Sequence, residues 1–215
     1  MAELPPPPPT YPARLTVDRQ DRLERVTTLF RLFWILPIVT ILALISASVG
    51  GSVTDDAGEQ VRNTGIAVST GLAIATALMI AVRQKYPRWW FGVTLELTRF
   101  AARVGAYGAL LIDVYPSTTD RQSVHLDVDS PNVEQFNRWM PLVKWFPAIP
   151  HYLVLVLLAM GAALAVIAAW LAILFTGRYP AALFDDVVGV GRWALRVQAY
   201  AFLLVTDQYP PFSLR

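Results

Sequence analysis

The chain has 215 residues and a formal net charge of +2, with 55% hydrophobic residues and only 16% charged ones. A soluble domain carries roughly 25% charged residues, and a chain of this size cannot hide so much apolar surface, so an ordinary water-soluble fold is excluded. The small net charge gives no reason to expect nucleic acid as a partner, and the absence of cysteine removes disulfides, thiolate metal sites and thiol nucleophiles.

Residues 1–12, with Pro5 through Pro9 unbroken, read as an extended polyproline tail. Such a tail is solvated, or it docks into a partner's aromatic groove. The first apolar run begins after about 30 polar and proline-rich residues, so no N-terminal signal peptide is expected. Residues 13–18 alternate apolar and polar, with Leu15 and Val17 on one face, and predict a short strand. Residues 123–129 repeat the pattern with Val124, Leu126 and Val128, and pairing between the two strands would satisfy their backbone groups.

Three runs lack any charge: Leu32 to Thr54, Asn63 to Val82, and Trp145 to Gly177. Each reaches the roughly 20 residues that a helix needs to cross about 30 Å of hydrocarbon. The expected fold class is therefore an all-α integral membrane protein, with transmembrane helices, interfacial amphipathic helices and the short strands outside the bilayer. Arg25, Arg31 and Pro37 recur as Arg138, Lys144 and Pro150 at a constant offset, and these cations are expected to snorkel to the headgroups at the start of each apolar run. The loop from Gly50 to Gly65 holds Asp55, Asp56 and Glu59 against Arg62 alone, whereas its flanks are basic. The positive-inside bias places that loop outside and the N-terminus in the cytoplasm, as in a multi-pass membrane protein. In the second half only 28 residues separate Pro150 from Tyr179, against 48 between Pro37 and Tyr86. That run is either one full span or a re-entrant hairpin turning near Gly161, and charge symmetry favours the hairpin.

Tyr86-Pro87 precedes Arg99, Arg103 and Tyr107 at the distances at which Tyr179-Pro180 precedes Arg192, Arg196 and Tyr200. The copies close on Tyr115-Pro116 and Tyr209-Pro210. The chain therefore divides into the tail, a first repeat over 13–116 and a second over 117–215. Spacing of four puts the arginines and the tyrosine on one side of a helix whose other faces are apolar, a pattern suited to the membrane interface. The guanidinium groups then either anchor the helix or hold a lipid or partner. Candidate lipid- or partner-binding residues are Arg25, Arg31, Arg99, Arg103, Tyr107, Arg138, Lys144, Arg192, Arg196 and Tyr200.

The stretch TGRYPAALFDDVVGVGRWALRVQAYAFLLVTDQYPPFSL, from Thr176 to Leu214, together with WFPAIPHYLVLVLL, from Trp145 to Leu158, closely resembles the signature of a bacterial membrane family known as domain of unknown function 4389. The first copy keeps the Tyr-Pro, arginine and tyrosine positions, inserts the acidic loop and lacks the Asp-Asp pair. The resemblance implies a membrane-embedded protein, common in actinobacteria, with no established catalytic activity and no substrate or cofactor to carry over.

The two histidines, His125 and His151, show no zinc spacing, and His151 reads as a hydrogen-bonding residue at the membrane edge. Asp127 and Asp129 share a strand face, a weak cation signal. No phosphate loop, dinucleotide fingerprint or nucleophile elbow occurs, and no Asp, Glu, Lys or Arg lies inside the apolar runs, which argues against an ion pump. No catalytic, cofactor or metal residue is assigned. The sequence points to a non-catalytic accessory or scaffold subunit among other membrane subunits, with a lipid-handling protein as the alternative.

Overall fold

The computed structural model describes residues 11–20, 22–46, 53–54, 60–61, 68–83, 86, 88–117, 123–131, 137 and 139–214. The unbroken prolines, most of the acidic loop and the candidate residue Arg138 lie outside the described residues.

The alternating segments form β1 (Ala13–Val17) and β4 (Val124–Val128), which pair antiparallel with Leu15 opposite Leu126 at the centre. Beyond the ladder the Asp18 N–H donates to Ser123 O at 2.8 Å and the Asp129 N–H to Pro12 O at 2.9 Å, so the strand ends are tied as well. Val124, Leu126 and Val128 turn inward, and His125 and Asp127 turn out. A second, two-residue ladder joins β2 (Val53–Thr54) to β3 (Gln60–Val61).

The rest is helical: α1 (Arg25–Ser46), α2 (Val68–Arg83), α3 (Arg88–Gly108), the short α4 (Met140–Val143), α5 (Trp145–Thr176) and α6 (Ala181–Ala201). They stack in layers. Strand β4 lies on α3 and β1 on α6, while α3 packs on α1 and α6 on α5. Each strand therefore sits on the helix from the other half of the chain. The main core gathers Tyr107, Ile112 and Val124 with Ile173, Tyr179 and Phe184, where these layers meet.

The outer layer is apolar toward its surroundings. Phe33, Trp34 and Leu36 of α1 and Leu153, Leu157, Leu164 and Phe175 of α5 are all exposed. Among the described residues α5 is the one helix long and apolar enough to cross a membrane, and only 6% of its most apolar stretch is buried. The expectation of several transmembrane helices thus reduces, for these residues, to one candidate span in a mostly helical fold with a small two-stranded sheet.

The favoured re-entrant hairpin does not form. Helix α5 runs unbroken for 32 residues, about 48 Å at 1.5 Å per residue. Gly161 costs the helix only about 1 kcal/mol against alanine, whereas a turn there would free several backbone groups amid alanine, leucine and valine. The chain turns instead at Gly177, whose left-handed backbone (φ 70°) lets its N–H donate to Ile173 O at 2.7 Å. Helices α3 and α6 end alike, each followed by a buried leucine at positive φ, Leu110 at 63° and Leu204 at 54°.

Two glycines should respond oppositely to alanine. Gly177→Ala forces a side chain into the left-handed region and is expected to lower stability by about 1 kcal/mol. Gly105→Ala, inside α3 with nothing within 4 Å of the new methyl, is expected to raise it by about 0.5–1 kcal/mol. Thermal unfolding of the detergent-solubilised protein reads both.

Candidate functional site

Two buried cations hold the helix layers together. The Arg31 guanidinium, on α1, is 3% exposed and pairs with Asp113; its Nη1 donates to Ile112 O at 2.8 Å, and it lies 4.5 Å over the Tyr107 ring. The Lys144 ammonium, at the start of α5, is fully buried; it pairs with Asp207 at 2.7 Å, donates to Thr206 O at 2.7 Å and lies 5.3 Å from the Tyr200 ring. Cation, carboxylate, preceding carbonyl and tyrosine face correspond one for one. Sequence position alone has both cations reaching outward to headgroups. They turn inward because the chain leaving α3 and α6 presents an open carbonyl and a carboxylate, which together repay the loss of water. Burial pushes the Lys144 ammonium below the usual lysine range, and Asp207 pulls it back up. Burial raises the Tyr107 and Tyr200 phenols, Arg31 opposing it at the first and Asp207 adding to it at the second.

The arginine stripes of α3 and α6 face the strands. Arg99 Nε donates to Leu126 O at 3.0 Å, and Arg192 Nε donates to Leu15 O at 2.9 Å. One turn on, Arg103 donates to Ser117 O at 2.7 Å and Arg196 to Ser213 O at 3.0 Å. These four side chains therefore fasten the sheet and the segments after each helix through bonds to backbone carbonyls. Arg25, the remaining described candidate, is exposed and lines a 510 Å³ cavity with Arg22 and Arg178 at the C-terminal end of α5.

A cavity of 640 Å³ lies between β1, α6 and the C-terminal tail, lined by Tyr11, Thr16, Arg192, Arg196, Gln208 and Ser213 among others. A smaller apolar cavity of 330 Å³ opens between Ile35 of α1 and Val166 and Trp170 of α5. His151 is fully buried, stacked on Phe212 at 4.0 Å, and accepts the Trp193 indole N–H on Nδ1 at 3.0 Å. Its proton therefore belongs on Nε2, which has no hydrogen-bond partner among the described residues. His125 lies 3.1 Å from the exposed Asp18 carboxylate, and no group of three or more metal-capable side chains forms among the described residues.

Residues 139–213 match, once, the model of a family described as Domain of unknown function (DUF4389). No curated protein and no solved structure matches the chain. The matched segment takes in α4, α5, α6 and the tail, hence Lys144, Asp207, Tyr200 and the arginine pair of α6.

Asp113 and Asp207 are not among the candidates drawn from sequence. A signal was there, because each stands two residues before a closing Tyr-Pro, in Asp113-Val114-Tyr115-Pro116 and Asp207-Gln208-Tyr209-Pro210.

Asp207→Asn leaves the Lys144 charge without its counter-ion and is expected to cost about 3–5 kcal/mol of stability. The sign of the pH response follows from the lowered lysine pKa. Between that value and the ordinary 10.5 the unfolded chain binds more protons than the folded one, so stability rises with pH through the window. Denaturant melts of the variant across alkaline pH check both effects. Burial alone pushes the Tyr179 phenol up to about 12, and its hydroxyl has no partner among the described residues. The folded state keeps a proton that the unfolded state loses above the ordinary value of 10.0, so this contribution is lost as pH rises from there toward 12. Tyr179→Phe is expected to stay within about 1 kcal/mol of wild type at neutral pH and to remove one late-titrating tyrosinate absorbance.

Proposed function

We propose that the protein is a non-catalytic accessory or scaffold subunit of a larger membrane protein complex. The observation that carries this reading is the outward face of α1 and α5, apolar and uncovered along most of α5. An apolar surface of that extent calls for lipid or a protein neighbour. Gly161, with nothing within 4 Å of where a methyl would stand, leaves room there for close approach by another helix. The polar side chains of the interior are spent on tying helices to strands and tails, which suits a scaffold.

The proposal includes a chain built from two tandem copies of one unit, multi-pass in a bacterial plasma membrane, with the N-terminus in the cytoplasm. The duplicated reading is supported by the paired bonds: Arg31 with Asp113 and Tyr107, Lys144 with Asp207 and Tyr200, Arg99 on Leu126 and Arg192 on Leu15. The inserted acidic loop between α1 and α2 would then be external.

A second reading, lipid handling, is favoured by the apolar cavity between α1 and α5 together with the cluster of Arg22, Arg25 and Arg178 at the end of the same helix pair. Purification from native membranes in mild detergent, followed by cross-linking and mass spectrometry, separates the two. A defined set of protein neighbours at fixed ratio is expected; a monomer running alone at native abundance would sink the scaffold reading. Bound lipid that falls away when Arg22, Arg25 and Arg178 are all replaced by alanine would favour the second.

A further inference from the structure

One matched pair of bonds has unlike surroundings in the two places. Arg99 and Arg192 each donate Nε to the carbonyl of the central leucine of the strand they underlie, and those leucines face each other in the ladder. Around Arg99 the charge is balanced twice. Glu96, three residues earlier on α3, accepts at 2.7 Å, and Asp127, one residue past Leu126 on β4, lies at 3.6 Å. The matching positions around Arg192 are Gly189, three residues earlier on α6, and Thr16, one residue past Leu15 on β1. Both carboxylates are thus missing, and among the described residues Arg192 forms no ion pair.

What stands in their place is the 640 Å³ cavity, within the roughly 300–1,000 Å³ of small-ligand sites. Arg196, only 9% exposed, shares its wall. Its pKa is lowered first by burial and next by the neighbouring Arg192 cation, so the two guanidinium groups sense each other. The third arginine of the wall, Arg14, is already paired with Asp129 at 2.9 Å. Gly189 also has a steric role: a methyl there would come within 2.9 Å of Leu214, so the glycine lets the C-terminal tail pack against α6 where α3 has a glutamate. Tyr11, Thr16 and Gln208 also line the cavity.

We propose that this cavity binds a phosphate-type oxyanion, with Arg192 and Arg196 as its charged anchors and the tail at residues 208–213 as its cover. The guanidinium fork matches tetrahedral oxyanions by paired N–H bonds, and the anion supplies the negative charge that Glu96 and Asp127 supply around Arg99. The source is a free phosphate or phosphorylated small molecule, or the headgroup of an anionic lipid. The site stands whether the protein acts alone or within a complex, so its test is separate from that of the scaffold reading.

The experiment titrates the full chain in detergent micelles with inorganic phosphate by calorimetry, and in nanodiscs containing phosphatidic acid against nanodiscs of phosphatidylcholine alone. Saturable binding of one of these two phosphate probes is expected. Arg192→Gln should weaken it at least tenfold, whereas Arg99→Gln should leave it unchanged. Thr16→Asp places beside Arg192 the counterpart of Asp127, at an exposed strand position, and should abolish binding without lowering the melting temperature. Binding of inorganic phosphate identifies the soluble source; binding of phosphatidic acid alone, lost in the same variants, identifies the lipid. Equal binding by wild type, Arg192→Gln and Thr16→Asp, or no saturable binding of either probe, overturns the site.

Discussion

The constraint on which the helical layers depend is the burial of one cation at the entry to each long outer helix. A charge removed from water is tolerated only with a counter-ion and hydrogen bonds close by. Arg31 and Lys144 find both in the same place, the few residues that follow α3 and α6. The chain must therefore turn sharply as it leaves each inner helix, to bring a carbonyl and a carboxylate back under the outer one. Leu110 and Leu204, held at positive φ just before those groups, make that turn. A left-handed leucine costs about 1–2 kcal/mol, and burial of the same side chains offsets it.

The inner helices then face two ways. Their apolar sides meet α1 and α5, and their arginine stripes meet the carbonyls of a sheet only two strands wide. A two-stranded sheet is marginal in water on its own. Here the guanidinium groups supply the missing attachment, each from the half of the chain to which the strand does not belong. That exchange interlocks the halves, so neither half completes its own packing. The same arrangement pushes the most apolar residues outward on α1 and α5, the inverse of a soluble core.

Much of the fold was legible because it is periodic. Alternation at Leu15 and Val17 and at Val124, Leu126 and Val128 marks both strands to within a residue, and their matching places in the chain point to the pairing. Helix boundaries follow the Tyr-Pro pairs, with Pro180 directly preceding α6. Charge symmetry favours a hairpin at Gly161, and local backbone energetics override it: one glycine among strong helix formers is too weak a break. The arginines are visible in the sequence, but their acceptors are not, since Leu15 O, Leu126 O, Ser117 O and Ser213 O belong to backbone that no side-chain pattern advertises. Length and position favour snorkelling for Arg31 and Lys144; their aspartates sit in loop segments where an acid looks merely solvated.

Differences between the matching halves are more informative than their likeness. Where bonds recur, as at the two buried cations, they serve the packing that both halves need. Where they do not, the change needs its own reason, and at Gly189 that reason is steric, since a methyl there would meet Leu214. His151 stands where the constant offset puts Ile38 in the first half, and brings a buried imidazole against Trp193 and Phe212. Thr16 and Gly189 stand by Arg192 where Asp127 and Glu96 stand by Arg99, and they leave Arg192 beside a cavity rather than beside a carboxylate. All three departures cluster around α6 and the tail that follows it. An uncompensated guanidinium in a partly buried wall is costly to keep, and Asp127 beside Arg99 shows that a strand carboxylate can stand next to such a group. Leu214 closes off position 189, but Thr16 is exposed, so the missing carboxylate at that strand position is the feature that packing leaves unexplained, and an exchangeable anion accounts for it.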